Sequence, residues 1–589
     1  MADDLGNAAP VDVGGQFGWY HPPFGAGARV GVVLCSAFGA EMLCAHAGWR
    51  QLAIRLAAAG LPTLRFDYAG TGDSPGDDRE PDRLGVWSRG IDSAIESLRH
   101  SAGVERVVVI GLRLGATLAA TVAARRDDIA GFAALAPVIS GRVHARELAV
   151  LARLNRLRPD NAPPDADEIG GISVNGFFVS DETQAAIKVL DLRRIARPAV
   201  EILLLERENA ADADLAAAWR DHGAQVQAAV FEGYDTFMDS PTTTVLPEAS
   251  WACLTAWCRS LAGDETVAES CRPGFAAAQA AGAGWHEVPL FFGREKRLFG
   301  IVSAPETKNA NDDLAVIILN AGRNHHIGWG RGAVEMARAL AAKGSTVLRL
   351  DAAGIGDSPP WPDGPEEVLY SPEQKADVVA AMDALAGRGF RRFHLVGACG
   401  GAYLALHAAI DDPRVAGFSL INLLKFHWRE GDSLAVAMAE QVYRPTSSYL
   451  QRLKDPETYR RILKGEVALA GIAGALLRRI VHKLMAVPMK LLARANGALS
   501  PQAEAAGWFR ALAVLGVVMQ MILSAEDPAL AELSLYFGPE GRDLPPEAKV
   551  RVEIIPHADH NHSQRDARTQ TLALIEEALA ELRGGSKGV

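Results

Sequence analysis

Residues 397–401 read Gly-Ala-Cys-Gly-Gly. An apolar run, Phe393-His394-Leu395-Val396, precedes them, and a small-residue helical stretch from Ala402 to Leu406 follows. A strand that turns sharply into a helix through a G-x-nucleophile-x-G elbow presents its central side chain at the positive end of that helix. Here the side chain is Cys399. The thiolate is the reactive form of cysteine, and a neighbouring imidazole can take the thiol proton and pair with the sulfur. The same layout occurs earlier, where Val107-Val108-Val109-Ile110 runs into Gly111-Leu112-Arg113-Leu114-Gly115. The guanidinium of Arg113 stays protonated and cannot attack an acyl carbon.

The elements that position these two turns also come twice. Val32-Val33-Leu34-Cys35-Ser36-Ala37-Phe38-Gly39 and Val316-Ile317-Ile318-Leu319-Asn320-Ala321-Gly322 are short apolar strands entering small-residue loops. A helical pattern follows each, from Trp49 to Ala58 and from Ala333 to Ala342. Next come Leu64-Arg65-Phe66-Asp67-Tyr68-Ala69-Gly70-Thr71-Gly72-Asp73-Ser74 and Leu348-Arg349-Leu350-Asp351-Ala352-Ala353-Gly354-Ile355-Gly356-Asp357-Ser358. The offset is 284 at Asp67/Asp351 and 286 at Arg113/Cys399, so register holds through the elbow. Such a period is far too long for a solenoid and indicates a tandem duplication. Alternating strands and helices predict a mostly parallel sheet in each half. Domains are expected over 1–265 and 285–589, with a flexible Ala/Gly-rich linker over 266–284. The four aspartates of the duplicated motif read as turn-shaping residues.

A length of 589 residues suits two such domains, and the net charge of −11 argues against general nucleic-acid binding. The N-terminus lacks a basic, apolar leader, and no stretch approaches the roughly 18 apolar residues of a membrane span. Six scattered cysteines form no C-x-x-C pattern. A reducing cytoplasm is the expected compartment, and it would keep Cys399 a free thiol.

Strand, loop, R-x-D-x-x-G-x-G-D-S and elbow, in that order, resemble the α/β-hydrolase superfamily, twice over. The first half, with its Leu34-to-Glu41 and Phe66-to-Ser74 segments, resembles hydrolases associated with exosortase and exopolysaccharide systems. The second half, with Asn320-Ala321-Gly322-Arg323-Asn324-His325-His326 and Gly354-to-Ser358, resembles bacterial hydrolases with a cysteine elbow. The resemblance implies the chain order nucleophile, acid, histidine. After Cys399, a strand expected over Val514 to Leu523 leads to Asp527 as the acid, with Glu526 in reserve. The last strand, Val552 to Ile555, leads to an Asp-His pair, Asp559-His560. That makes His560 the base, with His557 and His562 as neighbours in competition. Backbone N–H groups of Gly400 and of the Gly322-Arg323 loop are the expected oxyanion donors. His325 and His326 either line the pocket or cap a surface loop. No cofactor or metal is expected, because the three-histidine cluster has no second ligand group at suitable spacing.

In the first half the aligned triad positions hold Arg113, Asn209 and Thr236. Three losses together predict a pseudoenzyme domain. Arg113 could hold an anionic group or form a buried ion pair.

Residues from about 425 to 508 form a large insertion in the second half, expected to be a helical lid. Arg452 to Arg494 carries ten Lys/Arg against three Asp/Glu around an apolar centre. Three uses suit that composition: a lid over the pocket, a docking face for an acyl carrier protein or nucleotide thioester, and peripheral membrane contact. The expected activity is acyl transfer or (thio)ester hydrolysis on an apolar acyl substrate through a Cys399 acyl-enzyme. Two alternatives stand beside it: a polymerising acyltransferase of polyhydroxyalkanoate-synthase type, and a non-catalytic scaffold. Oligomeric state is not legible.

Overall fold

The computed structural model describes residues 8–154, 169–208, 212–263, 266–267, 274–307, 312–365, 367–429, 432 and 500–584. Asn209, part of the expected linker, and nearly all of the expected lid with its basic segment lie outside these residues. Two mostly parallel sheets flanked by helices account for the fold. The first contains β1 (Ala9–Val13), β2 (Gln16–His21), β3 (Val30–Cys35), β4 (Thr63–Phe66), β5 (Arg106–Leu112), β6 (Ile129–Leu135), β7 (Glu201–Glu206) and β8 (Gln225–Val230). Their spatial order is β1-β2-β4-β3-β5-β6-β7-β8. Only β1/β2 and β2/β4 run antiparallel.

The second sheet contains β9 (Ala280–Gly282), β10 (Trp285–Phe292), β11 (Leu298–Pro305), β12 (Leu314–Ile318), β13 (Thr346–Asp351), β14 (Arg392–Ala398), β15 (Val415–Ile421), β16 (Val518–Ser524) and β17 (Arg551–Ile555). Its order, β9-β10-β11-β13-β12-β14-β15-β16-β17, repeats that of the first with one strand added. The duplication legible in the sequence is thus a duplication of topology. One expected strand is displaced: Val514 ends the helix Pro501–Val514, and the chain turns at Gly516 (φ 73°) before β16 begins at Val518.

Both faces of the first sheet are covered, which explains the unbroken apolar runs. Along β5, Val107 and Val109 join one buried cluster, while Val108, Ile110 and Leu112 join the other with Trp251 and Phe237. Each such side chain contributes about 1.5–3 kcal/mol of burial. By contact density the chain divides into two compact units, 1–393 with 563–572, and 394–562 with 573–589. Among the described residues no helix is long and apolar enough to cross a membrane.

The duplicated turn has a single local logic. Asp67 Oδ2 accepts the Asp73 N–H at 2.9 Å, and Asp351 Oδ2 accepts the Asp357 N–H at 2.9 Å. Ser74 Oγ donates to the Asp67 carbonyl and accepts from Phe17 N–H; Ser358 does the same with Asp351 and Phe299. Gly356 sits at φ 54°, where a Cβ would lie 2.2 Å from Asp351 Oδ2. No side chain fits there.

Asp73 and Asp357 correct the sequence reading. They are more than turn residues, since each turn aims its second aspartate at the other half of the repeat. Asp73 Oδ1 takes Arg349 Nη1 at 2.8 Å and its Oδ2 meets His326 Nε2 at 2.6 Å. Asp357 pairs with Arg65 and lies 3.5 Å from His46. Arg65 and Arg349 are themselves repeat equivalents, so the pairs are reciprocal. Phe17, Trp19, Phe299 and Ile301 pack together beside them.

Candidate functional site

Cys399 follows β14 at φ 54°, ψ −117°, and the helix Gly400–Asp411 starts at the next residue. Arg113 holds almost the same backbone, φ 54°, ψ −124°, before the helix Leu114–Ala123. Left-handed φ at a bulky residue is strained and survives where surrounding structure enforces it. Here the turn is locked by close approach: a Cβ on Gly397 would lie 2.1 Å from the Gly401 carbonyl. Backbone N–H of Cys399 bonds to Ile421 O, and that of Arg113 to Leu135 O, both at 3.0 Å. Both halves therefore carry a formed elbow, and they differ in what it presents.

In the second compact unit Cys399 is partly exposed. Asp527 sits just beyond β16 as the N-cap of the helix Pro528–Phe537, its Oδ1 accepting Ala529 N–H at 2.9 Å. Its Oδ2 lies 2.8 Å from His560 Nδ1. With Nδ1 committed, Nε2 is the nitrogen left for Cys399. Burial works to lower the His560 pKa, but Cys399, through charge and hydrogen bonding, and Asp527 together raise it well above the ordinary imidazole value. This favours the imidazolium form of His560.

The competing residues fall elsewhere. Glu526 and His557 are exposed. His562 is buried, lies 3.1 Å from Ser524 Oγ, and is held neutral by burial, its pKa lowered to about 4. The N–H of Gly400 opens its helix and is one of the donors such a terminus leaves without an intrahelical partner. Gly322 (φ 59°) and Arg323 belong to the loop after β12, in the first compact unit, where Arg323 pairs with Glu367.

His325 and His326 are not at the surface, being only 6% and 4% exposed. His326 bridges Asp351 (2.7 Å) and Asp73. His325 stacks on His46 at 3.8 Å and lines a cavity of about 30 Å³ with Asp67 and Asp357. Ligand atoms of His326, Asp351 and Asp357 lie within 4.8 Å of one another. A metal there would have to displace the Arg65 and Asp73 pairings, which already satisfy these groups.

Arg113 forms a buried ion pair rather than an open anion site: Nε lies 2.7 Å from Glu41, and Nη2 3.5 Å from Glu147. Thr236 is exposed, bonded to Gly233 O. Asn422 and Ser524, at the ends of β15 and β16, escaped the sequence reading. A signal was present at the repeat offset of 286, where Asn422 stands opposite Ala136.

The paired sheets and their elbows define two tandem α/β-hydrolase domains. Residues 316–573 match the family model described as Alpha/beta hydrolase family, and residues 38–181 match that described as Serine aminopeptidase, S33. Among solved structures the chain is similar to Est1E from Butyrivibrio proteoclasticus, with 13% identity over 43% of this chain and 98% of that one, at a TM-score of 0.30. It is also similar to an esterase of Pyrococcus furiosus (14% identity, 44% and 91% covered, TM-score 0.31). Proline iminopeptidase of Mycobacterium smegmatis is a third likeness (15%, 43% and 98% covered, TM-score 0.29). No curated protein sequence matches the chain.

Proposed function

We propose that the second half carries out acyl transfer or (thio)ester hydrolysis through a thioester on Cys399. The observation that carries this reading is the Asp527–His560 contact of 2.8 Å, with Cys399 acting on the same ring. His560 takes the thiol proton, and the sulfur attacks the acyl carbon to form a tetrahedral oxyanion. Gly400 N–H is one donor to that oxygen. The C–S or C–O bond to the leaving group then breaks, and His560 returns its proton to the departing thiol or alcohol. Water, an alcohol or an amine next attacks the Cys399 thioester, His560 taking its proton, and the thiol is regained. Asp527 holds the ring in the tautomer this cycle needs.

The first half is a pseudoenzyme domain in this reading, with Arg113 locked to Glu41 and Glu147. The apolar, basic composition of the insertion supports an apolar acyl group delivered as a coenzyme A or carrier-protein thioester. A reducing compartment suits the free thiol.

Intact mass measurement after incubation with acyl-coenzyme A thioesters of several chain lengths tests the proposal. A covalent adduct of one acyl mass, absent in Cys399→Ala, is expected. No adduct with any donor, or an adduct that survives Cys399→Ala, overturns it.

A further inference from the structure

Three loops must stay in register for the Cys399 site to exist: the elbow, the Asp527 turn and the His560 turn. One buried side chain joins the last two. Asn422 follows β15 at φ 46°, a left-handed conformation that asparagine tolerates better than most residues. Its backbone N–H extends the ladder to Ile522 O at 3.0 Å. Its Nδ2 donates to Ser524 Oγ at 2.9 Å and to the His560 carbonyl at 2.8 Å, and its Oδ1 accepts Ser524 N–H at 2.8 Å. Asn422 and Ser524 are fully buried.

Ser524 continues the connection. Its carbonyl accepts the Asp527 N–H at 3.1 Å, and its hydroxyl donates to the Asp559 carbonyl at 2.9 Å. A hydroxyl has one proton. With that proton on Asp559, both Asn422 Nδ2 and His562 Nε2 must be donors to Ser524 Oγ. His562 is therefore the Nε2–H tautomer, in accord with its lowered pKa. Every polar atom of the Asn422 side chain is bonded, and each bond ends on the acid turn or the histidine turn.

The first half supplies an internal comparison. Ala136 takes the same place, at φ 42°, with its N–H on Leu205 O at 2.7 Å. Its methyl can tie nothing. The half whose elbow presents arginine lacks this connection as well.

We infer that Asn422, acting through Ser524 and neutral His562, is the positioning residue that holds His560 between Asp527 and Cys399. The inference rests on the Cys399 reading above. Removing Asn422 takes away the donor to the His560 carbonyl and the two bonds that orient Ser524, so the imidazole no longer stays on the sulfur.

The test is peptide-resolved alkylation of the whole chain by iodoacetamide across pH, with the exposed Cys253 as reference thiol in the same molecule. In the unsubstituted chain, Cys399 should keep reacting at pH values where Cys253 has become slow. Asn422→Ala should move the acid limb of the Cys399 profile toward that of Cys253 by about one pH unit, a tenfold loss of rate at the acid end. Ser524→Ala, a smaller excision, should move it the same way and keeps the test open should Asn422→Ala fail to fold. Folded variants with an unshifted Cys399 profile overturn the positioning role while leaving the Cys399 reading intact. If Cys399 and Cys253 titrate alike in the unsubstituted chain, the Cys399 reading fails, and the inference falls with it.

Discussion

Arg349 Nη1 lies 2.8 Å from Asp73 Oδ1, across 276 residues of chain, and the equivalent Arg65 pairs with Asp357 in return. The first compact unit thus contains an internal two-fold relation between repeats, built from the same arginine and the same aspartate used twice. Glu287 takes the remaining face of Arg349 at 3.0 Å. Burial penalises the Asp73 carboxylate, but His326 and Arg349 hold its pKa well below the usual range.

Because Arg349 is fully buried, Arg349→Met leaves Asp73 and Glu287 without their shared cation. Loss of about 3–5 kcal/mol is expected from breaking a buried pair on one side. Denaturant unfolding of Arg349→Met, Asp73→Asn and the double variant measures it. The double variant should be less destabilised than the sum of the singles; strict additivity would mean the pair is not coupled.

His326 supplies a pH dependence of definite sign. Burial lowers its pKa, yet Asp73 and Asp351 raise it well above the imidazole value of about 6.5. A pKa higher in the folded state means this contribution is complete below the unfolded value and is lost as pH rises through the folded one. Thermal unfolding should therefore come earlier as the buffer moves from about pH 6.5 to alkaline. His326→Gln should flatten that dependence, and an unchanged slope would refute the assignment.

In the proposed cycle Asp527 has two duties that one substitution separates. Asn is as good an N-cap as Asp, so Asp527→Asn should keep the helix Pro528–Phe537 and the melting temperature. The amide cannot hold the His560 tautomer, so turnover should fall about ten-thousandfold, as for the analogous change in a Ser-His-Asp triad. Asp527→Ala should cost about 1 kcal/mol of stability besides. Paired melting curves and rate measurements decide this.

Arg113→Ser restores a nucleophile to a formed elbow. No activity should appear when it is made in a Cys399→Ala background, because Thr236 is exposed and cannot act as base. Acyl adduct formation at residue 113 would show that the first half still has catalytic partners.

Gly356→Ala tests the turn. With φ 54° and only 2.2 Å to Asp351 Oδ2, the added methyl must displace that carboxylate. A cost above about 1 kcal/mol is expected, the strain of such positions being roughly 1–3 kcal/mol. Gly364→Ala, without a positive φ, should cost less.

The elbow, the repeated topology and the turn glycines could be read from the chain because each is a local steric requirement. Gly397 must lack a Cβ, a residue such as Cys399 or Arg113 must occupy the left-handed turn, and apolar runs must fill a sheet covered on both faces. Contiguous strings carry such constraints, and a second copy reinforces them. Partner choice is different. Asp73 and Asp357 look like turn residues within their own motif, and only folding brings Arg349 and Arg65 to them from far along the chain. Likewise the Asp559-His560 pair favours His560, but sequence leaves His557 and His562 in competition with it. Tertiary structure exposed His557, set His560 on Asp527 beside Cys399, and buried His562 on Ser524, because hydrogen bonding depends on direction and distance that adjacent letters do not contain. Asn422 belongs to the same class: an ordinary letter after a strand, defined by two loops that meet at it only in the folded chain.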